Sequence, residues 1–546
     1  MRRHDLHVPR ARAVAGSFRW WLGIPCCVAI LVAALGPARS SPLPRLAEIS
    51  AAPSVPPEPN RPVVGSGPTE PGEVLARRHC GACHVFPEPD LLDRKTWEQH
   101  ALRKMAPFLG VARLRTEGRP DGRRLEEAGL FPPGPVVSQD EWRAITGYYL
   151  AHAPEVALEP EAPRTVAKVT TQFEARPLTL PGSVPRTTLV TMGGRAGEAW
   201  VGDAGSGALH RFDARGAWKA SWPVGGACVH VARLGEGWVA TLIGSVFPSD
   251  VPLGRSVRWS QEGGPTTLLE GLERPVMTVP CDLNGDGVTD LVVNGFGNQL
   301  GRLAWHEGLP GGGWRPHELL DRPGAVCTEA RDVDGDGDLD LLVLMAQSQE
   351  QLVWLVNDGR GEFGVRVLLR FHPVFGAVHF ESVDLDGDGD LDVVLSNGDN
   401  GEYPSPFKRY HGVRVFRNDG DMRLVEAWFH PVNGAFKALA RDFDGDGDLD
   451  LAVISFFPDY ARAPEESFLL LRNEGPLRFA RETIRDATAG RWLTLDAGDI
   501  DGDGDVDVVL GSFCEGPPAV HIPPGLASAW RTNGVNGMLL LNRGRP

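Results

Sequence analysis

Hydrophobic and polar positions follow three different rules along this chain. From Trp20 to Gly36 nearly every position is apolar, behind a stretch that carries Arg2, Arg3, Arg10, Arg12 and Arg19. A basic stretch ahead of a short apolar run is the layout of an export signal, and ~17 apolar residues also just suffice to cross a bilayer. Residues 1–40 are therefore read as an export signal, cleaved near Ala38-Arg39-Ser40, or as a retained N-terminal anchor. Residues 41–70 are rich in Pro, Ser and Ala, show no period and predict a disordered linker.

A helical period comes next. Ser138-x-x-Glu141 is a capping box opening a helix to about Ala153, with Trp142, Ile145 and Tyr149 on one stripe. That stripe is expected to pack on the helix carrying Cys80, and residues 71–155 are read as a small all-α domain. After a linker, 156–170, the pattern becomes short apolar runs bounded by Gly, Asp and Asn, the mark of β-structure.

The β-region, 171–546, repeats. Five loops share one template: D-L-N-G-D-G-V-T-D from Asp282, D-V-D-G-D-G-D-L-D from Asp332, and close variants from Asp384, Asp442 and Asp499. Oxygen side chains at positions 1, 3, 5 and 9 can converge on a hard cation, and glycines at 4 and 6 let the chain curl. The expected ligands are Asp282, Asn284, Asp286 and Asp290; Asp332, Asp334, Asp336 and Asp340; Asp384, Asp386, Asp388 and Asp392; Asp442, Asp444, Asp446 and Asp450; and Asp499, Asp501, Asp503 and Asp507. Calcium, about five ions, is the expected metal. An EF-hand is excluded because strands flank the loops and no Glu stands at position 12.

Successive first aspartates lie 50, 52, 58 and 57 residues apart, enough for one four-stranded propeller blade each. The β-region holds about seven such units, so a seven-bladed propeller with five metallated blades is expected. Ala227 to Gly237 and Thr187 to Asp203 read as the two blades without acid loops. The last unit stops at Asn542, one strand short, and F-E-A-R-P-L-T from Phe173 is the candidate to complete it and close the ring.

Composition changes the picture in one respect. The formal charge is -16, but 23 aspartates lie in the five loops, and the remaining acids nearly balance the bases. The acidity is a metal-binding inventory, and the absence of a basic excess argues against a nucleic-acid partner.

The sharpest chemical signal is Cys80-Gly-Ala-Cys83-His84. Cys-x-x-Cys-His is the attachment signature of one covalent haem c: each thiol forms a thioether and the histidine is the proximal ligand. Half a zinc site and a thioredoxin-like pair compete, but no second C-x-x-C and no βαβ pattern accompany it. The sixth ligand falls to Met105, in K-M-A-P-F-L-G, with His79, His100 and His152 as rivals. Cys228, Cys281, Cys327 and Cys514 are scattered singly and receive no chemistry.

In C-G-A-C-H, Met-x-Pro-Phe and the C-terminal aromatic helix, residues 71–155 resemble a monohaem class I cytochrome c domain. The resemblance implies ligation of haem iron by His84 and Met105, although Met105, 21 positions after His84, falls short of the family's usual spacing. Residues 171–546, with Phe375-Gly376 ahead of the Asp384 loop, resemble the FG-GAP or VCBS repeats of integrin α-subunit propellers and of many exported bacterial proteins. That resemblance implies calcium between the first and second strands of a blade, and surface recognition more often than catalysis. The whole arrangement looks like the cytochrome–VCBS fusions of Gram-negative bacteria, which implies a periplasmic or cell-surface location.

Two functions follow as expectations. In the first, the propeller is a calcium-stabilised recognition module for a one-electron carrier serving a redox partner protein or a small-molecule donor. In the second, the propeller is a sugar or alcohol dehydrogenase whose central channel feeds electrons to the haem. Alternation of strand positions points Glu329, His379, Glu381, Lys437 and Asp496 into that channel, beside Cys327 and Thr494. A hydrated channel with ion pairs is the plainer account of them.

Overall fold

The computed structural model describes residues 70–544 apart from 115, 161–165, 194–196, 261–262, 402–405 and 516–521. The export signal or anchor and nearly all of the expected linker lie outside the described residues. No helix among the described residues is long and apolar enough to cross a membrane.

The N-terminal part is helical. Helix α1, Pro71–Cys80, starts on a proline and ends at the first motif cysteine. A helical run follows from α2, Arg94–Thr96, through a π-helical turn at Trp97–Ala101 to α3, Leu102–Met105. It stops two residues before Pro107, as a proline demands. Helix α4 covers Gly122–Glu127 and α5 covers Gln139–His152. The capping box on α5 is complete: Glu141 N–H donates to Ser138 Oγ at 3.2 Å, and Ser138 N–H donates to the Glu141 carboxylate at 2.8 Å. Ile145, Tyr148 and Tyr149 of α5 bury against Ala76 of α1, Trp97 and Leu102. A Cβ on Gly72 would stand 2.5 Å from the Ala144 carbonyl, so this crossing needs glycine.

The remainder is seven sheets in a ring. In chain order the blades span 187–223, 228–272, 275–320, 325–370, 377–431, 435–483 and 492–542, called blades I to VII. Strands within a blade run in sequence order from the axis outward, and the first strands of successive blades touch in a closed cycle of seven. Each second strand from blade III to blade VII is wholly buried, Asp340–Met345 and Asp450–Ser455 among them. These apolar runs fill the layers between blades.

Closure follows the expectation from the termini. Phe173–Leu178 pairs antiparallel with Gly537–Asn542 and supplies the outer strand of blade VII, so the last sheet joins both ends of the β-region. The stretch expected as plain linker also contributes: Lys168–Val169 adds to the edge of blade VI, parallel to Phe479–Thr483. Two extended segments tie the chain ahead of the ring to its rim and cover two edges.

The connections define two faces. All five acid loops join first to second strands and lie on one face. Loops joining second to third strands, and the links between blades, lie on the other. The helical part contacts that second face. Arg409 pairs with Asp90 at 3.1 Å, the Asp250 N–H donates to Asp121 at 3.2 Å, Arg124 pairs with Glu273, and Gln349 Nε2 donates to the Cys83 carbonyl at 2.8 Å.

Candidate functional site

The acid loops have one architecture. Glycines at positions 4 and 6 all have positive φ, for example 76° at Gly335 and 99° at Gly337, as the expected curl requires. Their N–H groups donate to the first aspartate: Gly335 and Gly337 to Asp332 at 2.8 and 3.1 Å, Gly387 and Gly389 to Asp384 at 2.8 and 3.1 Å. Carboxylate oxygens of Asp332, Asp334 and Asp336 lie within 4.8 Å of one another, as do those of Asp384, Asp386 and Asp388, of Asp442, Asp444 and Asp446, and of Asp499, Asp501 and Asp507. Such groups could hold calcium. The Asp282 loop, with Asn284 in place of an acid, forms no comparable carboxylate group among the described residues.

The ninth position has a second task that its spacing did not disclose. Asp290, Asp340, Asp392, Asp450 and Asp507 are at most 1 % exposed and open the second strand of their blades. Both oxygens accept backbone N–H groups: Asp507 from Ile500 at 2.9 Å and Asn542 at 2.7 Å, Asp392 from Leu385 at 3.2 Å and Asn418 at 2.9 Å. Each thus staples its loop to the end of the third strand. Burial raises all five carboxyls above the usual range, Asp450 to about 7 and Asp507 to about 6.

Two loops already face a guanidinium. Arg472 pairs with Asp444 at 2.6 Å, and Arg543 with Asp501 at 3.0 Å and Asp503 at 3.7 Å. A cation there competes with arginine, while the groups at Asp332 and Asp384 have no arginine paired to their first, third or fifth aspartate among the described residues. The sequence does not single these loops out, since Arg417-Asn418, in the blade of the Asp384 loop, shows the same arginine beside the asparagine that ends the third strand, and there Arg417 pairs with Asp419 at 2.9 Å.

The cysteine motif sits at the seam between helices and propeller. Cys80 closes α1 against the Tyr149 hydroxyl, and burial pushes its thiol up to about 11. Cys83 is exposed on the following turn. His84 Nδ1 lies 2.9 Å from the Val85 carbonyl; since a carbonyl only accepts, Nδ1 carries the proton and Nε2 keeps its lone pair for a metal. Desolvation holds the His84 imidazole below its usual range, hence neutral. Met105 ends α3 with its side chain 36 % exposed. Val74, Val85, Met105, Phe108, Leu130 and Val136, six of the 15 exposed large hydrophobics among the described residues, fall in this short helical part. The two thiols and the pre-set imidazole of this one segment could hold a haem.

The proposed channel residues are committed elsewhere. Glu329 accepts from Ser382 N–H at 3.1 Å, Glu381 from Ala440 N–H at 2.8 Å and Arg441 at 2.7 Å, and Asp496 from Met192 N–H at 2.8 Å. Each carboxylate therefore stitches one inner strand to the next blade. His379 and His230 stay near Lys437, their Nδ1 atoms without a hydrogen-bond partner among the described residues, and burial keeps both imidazoles neutral.

Residues 282–343 and 332–395 match the FG-GAP-like repeat. The chain carries FG-GAP repeats within a seven-bladed propeller. No curated protein matches it. Similar solved structures include BBS1N in complex with ARL6DN, at TM-score 0.42 and 10% identity, covering 70% of this chain and 98% of that one. A Saccharomyces cerevisiae complex of dbp5 with nup159 and gle1 matches at TM-score 0.38 and 10% identity over 70% of this chain and 97% of that one. A putative 6-phosphogluconolactonase from Bacteroides uniformis ATCC 8492 matches at TM-score 0.37 and 14% identity, over 56% of this chain and 88% of that one. At these levels the likenesses bear on neither site nor activity.

Proposed function

We propose that this protein is an exported electron carrier. Cys80 and Cys83 would hold one haem c, His84 and Met105 would ligate its iron, and the group would supply single-electron exchange with a redox partner protein or a small-molecule donor. The propeller is its recognition and docking module, stabilised by calcium in the acid loops. The observation that carries the reading is the donor set of one short segment: Cys80 on the end of α1, Cys83 on the next turn, and His84 with its Nε2 lone pair left free by the bond at Val85.

When bound, the haem would supply one-electron chemistry between ferric and ferrous iron, and the Met105 thioether as a ligand would favour the ferrous form. The chain's own residues do the rest. Packing of α1 on α5 fixes where Cys80 stands, the Val85 carbonyl sets the His84 tautomer, and Gln349 of the propeller holds the Cys83 carbonyl. Trp97, Tyr148 and Tyr149 keep water from the core behind the motif. The loops at Asp332 and Asp384 are the strongest calcium sites in this reading, since no guanidinium competes there. The basic, apolar N-terminus supports a periplasmic or cell-surface location.

The dehydrogenase reading has less support, because Glu329, Glu381 and Asp496 are spent on joining blades. The deciding experiment is a reduced-minus-oxidised spectrum of the protein matured with haem c. An α-band that disappears in Cys80→Ser supports the carrier; a colourless protein rules it out.

A further inference from the structure

The first strands of blades II to VII share one irregularity. Each is bulged at its second residue, so the third residue falls at the same level in every blade: His230, Met277, Cys327, His379, Lys437 and Thr494. His230, His379 and Lys437 are only half-buried there, although seven inner strands enclose them. Their uncovered surface faces the space along the axis. Burial keeps both imidazoles neutral and the charge of Lys437 adds to that effect, so the ammonium acts on blades II and V together. These blades lie on opposite sides of the ring, which puts the ammonium near its axis.

This level offers donors. Nδ1 of His230 and Nδ1 of His379 are walled in without a hydrogen-bond partner among the described residues. A proton on either would be a buried N–H with no acceptor, the rarer and costlier orphan, so each ring carries its proton on Nε2, the nitrogen left uncovered. The Lys437 ammonium and the Thr494 hydroxyl make no hydrogen bond or ion pair with any described residue. Nearby acceptors are taken. The Met277 sulfur accepts the Thr328 N–H at 3.4 Å, and the Cys327 thiol turns to the Phe380 carbonyl at 3.8 Å. Two residues along, Glu329 and Glu381 pair with Arg331 and Arg441 at 3.2 and 2.7 Å, while Asp496 accepts the Met192 N–H beside blade I. None of them pairs with Lys437. A cation is disfavoured by the ammonium, and no metal-ligand group forms at this level among the described residues. Two N–H groups and an ammonium around one space are complemented by a small group with several acceptor oxygens and a negative charge.

We propose that the propeller axis binds one small oxyanion between Lys437 and the Nε2–H groups of His230 and His379. The oxyanion is either a free tetrahedral anion or the carboxylate of an organic acid. Binding requires neither the haem nor the acid loops.

Two measurements on the full-length protein test it. Sulfate and formate are titrated by calorimetry in chloride buffer; one-to-one binding is expected, weakened at least tenfold in Lys437→Met, partly restored in Lys437→Arg and weakened at least threefold in His379→Phe. Tighter sulfate identifies the free anion as the occupant, and tighter formate the carboxylate. Crystals soaked in selenate, an anomalous scatterer shaped like sulfate, should show a peak on the axis beside Lys437. Failure of both anions to bind, equal binding by wild type and Lys437→Met, or selenate only at other places overturns the proposal. Equal melting temperatures of wild type and Lys437→Met exclude misfolding as the cause of lost binding. A Cys80→Ser, Cys83→Ser protein should bind the anion as tightly as wild type, so a failure of the carrier reading and a failure of this one are told apart.

Discussion

Asp386→Ala and Asp392→Ala each remove one carboxylate from the same loop, yet they should differ in their response to calcium. Asp392 is 1 % exposed and accepts from Leu385 N–H at 3.2 Å and Asn418 N–H at 2.9 Å. Its loss leaves two buried donors without acceptors, at ~1–3 kcal/mol each, or roughly 2–6 kcal/mol with or without metal. Asp386 is exposed, and its one hydrogen bond is a long one from Asp388 N–H at 3.3 Å. In chelator its removal costs almost nothing and relieves repulsion between carboxylates within 4.8 Å of each other. That repulsion is about 1 kcal/mol at the dielectric of water, the closer limit for an exposed loop. In 1 mM calcium, a site of extracellular type with Kd ~10⁻⁴ M contributes about 1.4 kcal/mol, which Asp386→Ala forfeits. With ~2.1 cal/mol/K per residue over roughly 370 residues, 1 kcal/mol moves the melting temperature by about 1.3 °C. Scanning calorimetry should then show Asp392→Ala melting about 3–8 °C lower in calcium and in EGTA alike, and Asp386→Ala about 2 °C lower in calcium alone. An equal loss for Asp386→Ala in both media would refute the metal role; an unchanged Asp392→Ala in EGTA would refute the staple.

Other perturbations probe different parts of the molecule. Arg472→Met takes the guanidinium from Asp444 and Glu482, pairs at 2.6 and 2.9 Å with side chains at most 13 % exposed. The expected cost is about 3–5 kcal/mol in chelator, and smaller in calcium because the ion replaces the lost charge; urea midpoints in the two media check it, and identical losses would contradict it. Deleting residues 173–178 removes the outer strand of blade VII and exposes the Gly537–Asn542 edge; size-exclusion chromatography should show self-association, and a monomer of wild-type stability would speak against closure by this strand. Burial, with a smaller contribution from Lys437, holds His230 at about 4 against an ordinary 6.5. The folded chain then binds fewer protons than the unfolded one between those values, so stability is complete above about pH 6.5 and falls by up to roughly 3 kcal/mol as pH drops toward 4. His230→Gln should flatten urea midpoints measured at pH 7 and 4.5, and an unchanged slope counts against the assignment.

The repeat itself was legible because each blade obeys local rules. Acid loops, glycine curls, buried second strands and the turns after the third strands recur at blade spacing, so the five loop-bearing blades stand out in the sequence, and the strand at Phe173 follows from the one missing at Asn542. The capping box at Ser138 and Glu141 is equally local. The division of labour inside a loop was not legible, since Asp386 and Asp392 look alike in a row of aspartates and differ only in what surrounds them. Nor was the role of Glu329, Glu381 and Asp496: alternation gave the face of the strand but not the neighbouring blade that meets it.

By itself the sequence determined the order of parts, the periodic metal-ligand pattern and the Cys80-x-x-Cys83-His84 donor set, all carried by residues close in the chain. Only the tertiary structure decided that Arg472 and Arg543 stand at two of the acid loops, that the helical part lies on the face opposite those loops, and that Gln349 of blade IV reaches the Cys83 carbonyl. Such contacts join residues tens to hundreds of positions apart. They depend on how the blades close into a ring, and spacing along a chain carries no record of that closure.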